Sequence, residues 1–162
     1  MDVEVRGYDH PEVVALVERV QAEYAVLYGS PDEGPADAVQ FAPPGGLFGL
    51  GLVDGTTVAM GGWRTRDDGR AEIKRMYVPD EHRGHGHARE MLTWLEDTAA
   101  AAGAGELVLE TGLRQPAAVA LYRSRGYTDV EPFGHYADSP LSVYLGRTLA
   151  VSAARRPCAP RR

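Results

Sequence analysis

Glu72-Ile73-Lys74-Arg75-Met76-Tyr77-Val78-Pro79-Asp80-Glu81-His82-Arg83-Gly84-His85-Gly86-His87-Ala88 is the stretch on which the reading of the fold depends. Ile73 to Val78 is an apolar, partly β-branched run and predicts a strand. Pro79 and Asp80 stop it, because proline lacks a ladder donor and aspartate favours turns. Arg83-Gly84-His85-Gly86 removes side-chain bulk where a helix begins, and the helical spacing continues through Met91, Leu92, Leu95 and Ala99. The start of a helix carries unpaired N–H groups and the positive end of its dipole, so it attracts anions. Glycine lets an anion approach the backbone closely. The local physics predicts a phosphate or pyrophosphate site.

Two common phosphate loops do not fit. A Walker loop needs Lys-Ser or Lys-Thr after its glycines, and neither pair follows here. The dinucleotide fingerprint Gly-x-Gly-x-x-Gly fails because Arg89 stands in place of the third glycine. Arg83-x-x-Gly86-x-Ala88 after a strand resembles the Arg/Gln-x-x-Gly-x-Gly/Ala signature of the GCN5-related N-acetyltransferases (GNAT). In that family the loop holds the pyrophosphate of acetyl-CoA.

A second stretch, Gln115-Pro116-Ala117-Ala118-Val119-Ala120-Leu121-Tyr122-Arg123-Ser124-Arg125-Gly126-Tyr127, resembles the family's other signature, in which an Asn precedes Ala-x-x-Leu-Tyr and Gly-Phe or Gly-Tyr follows. Gln115 replaces the Asn and keeps an amide able to bond the pantetheine arm, at a different reach. Ala71-Glu72-Ile73 is a third match, since some relatives use a Glu at this distance before the loop as general base.

The rest of the chain is consistent with this. Asp2 to Arg6 alternates and predicts an edge strand. Asp9-His10-Pro11-Glu12 looks like a helix start capped by Asp9, and Val13, Leu16, Val17, Val20, Tyr24 and Leu27 give that helix one apolar face up to Gly29. Residues 29–46, with four prolines and four glycines, predict a loop with at most one helical turn. Leu47–Val53 and Thr56–Arg66 form a hairpin around Asp54-Gly55, with a bulge or close approach expected at Gly61-Gly62. Further elements are the 71–78 strand, a helix over 86–102, a buried strand at Glu106–Thr111 and a helix over 116–125. Closing strands are expected at Tyr127–Phe133 and Leu141–Leu149. The order predicts an α+β domain over residues 1–149, a sheet flanked by helices, followed by a basic, disordered tail over 150–162. The resemblance implies that the sheet is mixed, mostly antiparallel, with helices on both faces. The resemblance implies the GNAT, or acyl-CoA N-acyltransferase, fold.

Composition limits the partners. The chain has 162 residues, 44% hydrophobic and 25% charged, as in globular proteins. No apolar run approaches the roughly 20 residues of a membrane helix. The first twenty residues carry Asp2, Glu4, Arg6, Asp9, Glu12 and Glu18, unlike a signal peptide. Its one cysteine, Cys158, has no internal disulfide partner, which points to the cytoplasm. The net charge is −6 even with the four arginines from Arg155 onward, so nucleic acid is disfavoured. A cationic acceptor such as an amine is compatible.

The resemblance implies direct attack of a neutral amine on the thioester of acetyl-CoA in a ternary complex. The strand end Met76-Tyr77-Val78 is the candidate to pair with pantetheine, with a Met76 or Val78 N–H polarising the acetyl carbonyl. Arg83, Gly84, His85, Gly86, His87 and Ala88 are candidates for the pyrophosphate, and Gln115, Ala118 and Tyr122 for the arm. Tyr122, with a phenol pKa of about 10 when unperturbed, is the candidate acid for the thiolate; otherwise it packs a helix on the sheet. Glu72 is the candidate base, acting through water; otherwise it pairs with Lys74 or Arg64 as a surface charge. Glu72, Lys74 and Met76 are expected on one strand face. His82, His85 and His87 suggest a metal, but a zinc site needs convergent ligands and here would compete with an anion, so none is expected. Trp63, Tyr24, Tyr28, Phe41 and Tyr136, and the segments 29–46 and 133–140, are candidates for the acceptor pocket. Two other readings remain open: a non-catalytic CoA-binding or regulatory domain on the same fold, and a nucleotide-phosphate enzyme of another fold. Family relatives are often dimers, and an edge strand at 141–149 would support a homodimer.

Overall fold

The computed structural model describes residues 1–150, so the expectation for the tail falls, except for Ala150, outside the described residues. The elements in order are β1 (Asp2–Val5), α1 (Pro11–Tyr28), β2 (Gly46–Val53), β3 (Thr56–Thr65), β4 (Ala71–Tyr77), α2 (His87–Ala101), β5 (Glu106–Gly112), α3 (Pro116–Ser124), β6 (Thr128–Asp129) and β7 (Ser142–Thr148). Short 3-10 turns stand at Ala38–Phe41 and Asp80–His82. One seven-stranded sheet runs in the order β1-β2-β3-β4-β5-β7-β6. Only β4 and β5 pair in parallel.

Helices cover both faces, as the apolar spacings require. α1 presents Val13, Leu16 and Val20 to Phe48, Leu50, Met60 and Tyr77. On the other face α2 buries Met91, Leu92, Leu95 and Ala99 completely, against Ala59, Ile73, Leu107 and Leu109, while Tyr122 brings α3 into the same cluster. Trp63 reaches this face as well, donating its indole N–H to the Thr98 hydroxyl at 3.1 Å. Each large aliphatic side chain buried this way stabilises the fold by about 1.5–3 kcal/mol.

The turns follow their residues. Asp54 and Gly55 both have positive φ, as a tight hairpin needs. Gly62 is obligatory for packing: a Cβ there would stand 2.3 Å from the Phe48 ring and 2.8 Å from the Leu47 carbonyl. The β3–β4 register slips between Met60 and Gly62, where the bulge was expected.

Four expectations are corrected. The α1 cap is His10, whose ring nitrogen accepts from the Glu12 N–H at 3.3 Å, and not Asp9. The strand expected over Tyr127–Phe133 shrinks to Thr128–Asp129, because the chain then leaves the sheet toward Phe133, which packs on Val108 and Tyr144. The closing strand β7 lies between β5 and β6, so it is not an edge and the argument for dimerisation through it lapses. Met76 does not share a face with Glu72 and Lys74. Arg75 has φ +58 and forms a bulge that shifts the alternation, so Met76 packs with the α2-side cluster while Tyr77 packs on the α1 side.

Candidate active site

β4 and β5 pair at only two positions, Ala71 with Leu107 and Glu72 with Val108. Both strands continue, to Tyr77 and Gly112, without further rungs between them. The parting coincides with the Arg75 bulge. A left-handed conformation in a non-glycine residue costs roughly 1–2 kcal/mol and persists only where neighbours over-determine it. Here Asp32 pairs with the Arg75 guanidinium, whose Nε also donates to the Tyr8 hydroxyl at 3.3 Å. A cavity of about 270 Å³ fills the gap. Lys74, Arg75 and Met76 line it from β4, and Leu109, Glu110 and Thr111 from β5. Ala118 and Tyr122 of α3, Gln115 just before it, and Tyr24, Tyr28, Asp32 and Tyr136 add to the lining. The opening in the sheet therefore joins its two faces.

The loop after β4 leaves its backbone amides open at the start of α2. Gly84 and Gly86 have φ of +80 and +85, and a Cβ at either would meet nothing within 4 Å. Gly86 caps α2 in the left-handed region with no side-chain cap. The first amide of the helix to find a backbone acceptor is Glu90, bonded to the Gly86 carbonyl at 3.1 Å. The N–H groups of residues 84–89 donate to no described protein acceptor, which leaves six clustered donors for a ligand. Val78 donates its N–H to no described backbone acceptor, while its carbonyl accepts from Arg83 Nε at 3.0 Å. The Arg83 guanidinium also binds Glu23 at 2.6 Å and Asp80 at 3.2 Å, so its side chain braces the loop against α1. The His85 and His87 rings stack at 5.8 Å. Among the described residues, no group of three metal-ligating side chains converges.

Tyr122 is buried, with its hydroxyl 4.0 Å from the Met76 sulfur. Burial, reinforced by Tyr24, pushes the phenol well above its ordinary range, so it keeps its proton and serves as a donor. Gln115 precedes α3 and donates its side-chain amide to the Tyr28 hydroxyl at 3.3 Å, tying α3 to the end of α1. The structure thus brings Met76, Gln115, Ala118 and Tyr122 to one cavity. It does not bring Glu72 there. Glu72 is 5% exposed, accepts from Arg64 Nε at 3.1 Å and lies 3.7 Å from an Arg66 nitrogen.

The other side of the cavity is held by Asp32. Its carboxylate accepts from the Gly34 N–H at 2.7 Å and the Tyr136 hydroxyl at 2.9 Å, as well as from Arg75. Its backbone exchanges two hydrogen bonds with the Gln21 side chain on α1. Burial pushes the Asp32 carboxyl up, but Lys74 and Arg75, with these donors, outweigh it and hold the group below its ordinary value. Asp32, Arg75, Lys74 and Glu110 were not singled out in the sequence. The one signal was Glu110, a carboxylate in the otherwise apolar run Leu107-Val108-Leu109. Burial raises its pKa, with Asp32 and Glu72 adding to the effect and Ser142 and Lys74 opposing it.

A model of the acetyltransferase (GNAT) family matches residues 14–127. An IAA acetyltransferase of Azospirillum brasilense is 36% identical over 138 residues, covering 85% of this chain and 90% of that protein. Among solved structures, one from Klebsiella pneumoniae subsp. pneumoniae, provisionally named an acyl-CoA N-acyltransferase, superposes with a TM-score of 0.79 at 29% identity, over 92% of this chain and 97% of that one. The PaiA N-acetyltransferase of Thermoplasma acidophilum, solved with coenzyme A, has the same fold with a TM-score of 0.67 at 14% identity, over 91% and 99% of the two chains.

Proposed function

The chain belongs to the acetyltransferase (GNAT) family and is an acyltransferase, and from this premise we propose that it moves an acetyl group from acetyl-CoA to the primary amine of a small molecule by direct attack on the thioester. The observation that carries the reading is the parting of β4 from β5 after two rungs, with a cavity in the gap that reaches Tyr122. An extended pantetheine arm would take up strand edges left unpaired there. The six amide donors of residues 84–89 would hold the diphosphate at one end of the arm. That the fold also serves a protein solved with coenzyme A supports this placement.

The chemistry needs few protein groups. Val78, whose N–H donates to no described backbone acceptor, would bond the acetyl oxygen as negative charge develops on it. The amine must enter neutral, having given up one proton. Its nitrogen then bonds the carbonyl carbon, and collapse breaks the carbon–sulfur bond. Tyr122 passes its proton to the sulfur and regains one from the new amide nitrogen. The products are the N-acetyl compound, the free thiol and the one proton released at the start. Glu72 is not given the role of base in this scheme, since two arginines hold it outside the cavity lining.

Acetyl-CoA supplied with an amine panel, followed by release of free thiol, tests the reading. Turnover with at least one amine is expected. Stabilisation by CoA without any turnover would replace the proposal with a CoA-binding regulatory domain.

A further inference from the structure

Side chains alternate along a strand, so beyond the Glu72–Val108 rung the next pair on the same face would be Lys74 and Glu110. The strands have parted by then. Both residues line the cavity, on the α1 side of the sheet, and no ion pair within 4.0 Å joins them. The other charges there are committed. Arg75 and Asp32 hold each other, and Asp32 is further occupied by Gly34 and Tyr136. Lys74 is ion-paired with Asp32, but only at 3.8 Å, beyond hydrogen-bond length, and Glu110 has no ion-pair partner among the described residues. One ammonium and one carboxylate thus face a gap in a cavity whose remaining walls include the rings of Tyr24, Tyr28 and Tyr136. A ligand carrying one charge of each sign would complete both.

We infer that the acceptor is an amino acid, its amine bound and deprotonated by Glu110 and its carboxylate paired with Lys74 across the open seam. This rests on the acyl-transfer reading above and adds a catalytic residue and a substrate class to it. Glu110 takes one proton from the substrate ammonium and passes it to solvent, leaving the lone pair that attacks the thioester carbon. The groups facing Glu110 are Lys74 and Glu72 from β4, Asp32 from the loop, Tyr24 from α1, and Ser142 and Tyr144 from β7. Their balance, with burial, raises the Glu110 carboxyl, which makes it a stronger proton acceptor.

The test uses the full chain, acetyl-CoA and matched acceptors: leucine, phenylalanine and methionine, their methyl esters, and 2-phenylethylamine. The free acids should exceed the esters and the amine by at least about 100-fold in kcat/KM, because analogues lacking the carboxylate forgo the close ion pair with the largely enclosed Lys74. Lys74→Met should bring that ratio close to one, and Lys74→Arg should restore part of it. Glu110→Gln should lower kcat by about 100-fold and remove the acid limb of the kcat/KM profile. CoA affinity by calorimetry, unchanged in each variant, shows that they fold. Esters or 2-phenylethylamine turned over as well as the acids, or a ratio that Lys74→Met leaves alone, overturns the inference while acyl transfer stands. Thiol release with no acceptor at all overturns both.

Discussion

The loop after β4 and the cavity are built in opposite ways. The proposed anion cradle is six consecutive residues, Gly84 to Arg89, and its working groups would be backbone amides. The chamber on the α1 side is assembled from distant side chains: Asp32 meets Arg75 across 43 positions and Tyr136 across 104. A contiguous backbone device needs only glycines and a helix start, whereas a side-chain chamber needs the whole sheet in place. The cradle therefore tolerates change around it but not within it, and the chamber depends on its struts.

The sharpest way to break this contrast is Gly86→Glu. A Cβ there meets no protein atom within 4 Å, so the fold should lose only about 1–2 kcal/mol from the left-handed conformation. The added carboxylate should nonetheless abolish CoA binding in calorimetry. Normal affinity in that variant would refute the cradle. Next in size, Tyr122→Phe should cut turnover by about 100-fold while CoA affinity holds. A rate within a few-fold of wild type would leave Tyr122 as packing.

Asp32→Ala probes the chamber. It strands Arg75, whose side chain is 5% exposed, and should cost about 3–5 kcal/mol. The conservative Asp32→Asn carries a pH signature. Because the folded state holds this carboxyl low, its contribution to stability is full above the ordinary carboxylate range, near pH 4, and is lost as the pH falls through the lower folded value. The Tm gap between wild type and Asp32→Asn should thus be constant from neutrality to about pH 5 and close in stronger acid. A gap that widens in acid would contradict the pairing. Smallest of all, Glu72→Gln should lower Tm by a few degrees through its arginine partners and leave the pH profile of turnover unchanged.

Much of this was legible because it is local. The strand–loop–helix from Ile73 to Ala99 follows from apolar spacing and two glycines, and Asp54-Gly55 announces its hairpin. The Arg75 bulge was not legible. Nothing in Lys74-Arg75-Met76 marks a positive φ, since the conformation is imposed by Asp32 and Tyr8 from elsewhere in the chain. That one residue moved Met76 to the opposite face from Glu72. Tyr127–Phe133 read as a strand because its residue types suit one, and packing of Phe133 under Val108 and Tyr144 overrode that preference.

The two-rung seam between β4 and β5 makes the molecule mechanically a pair of half-sheets, β1–β4 and β5–β7, clamped by helices and not stitched along their shared border. An extended guest lying in that border would act as the missing thread. Amide exchange from Ile73 to Val78 should therefore slow when CoA binds, and the loaded protein should be stiffer across its middle than at either rim.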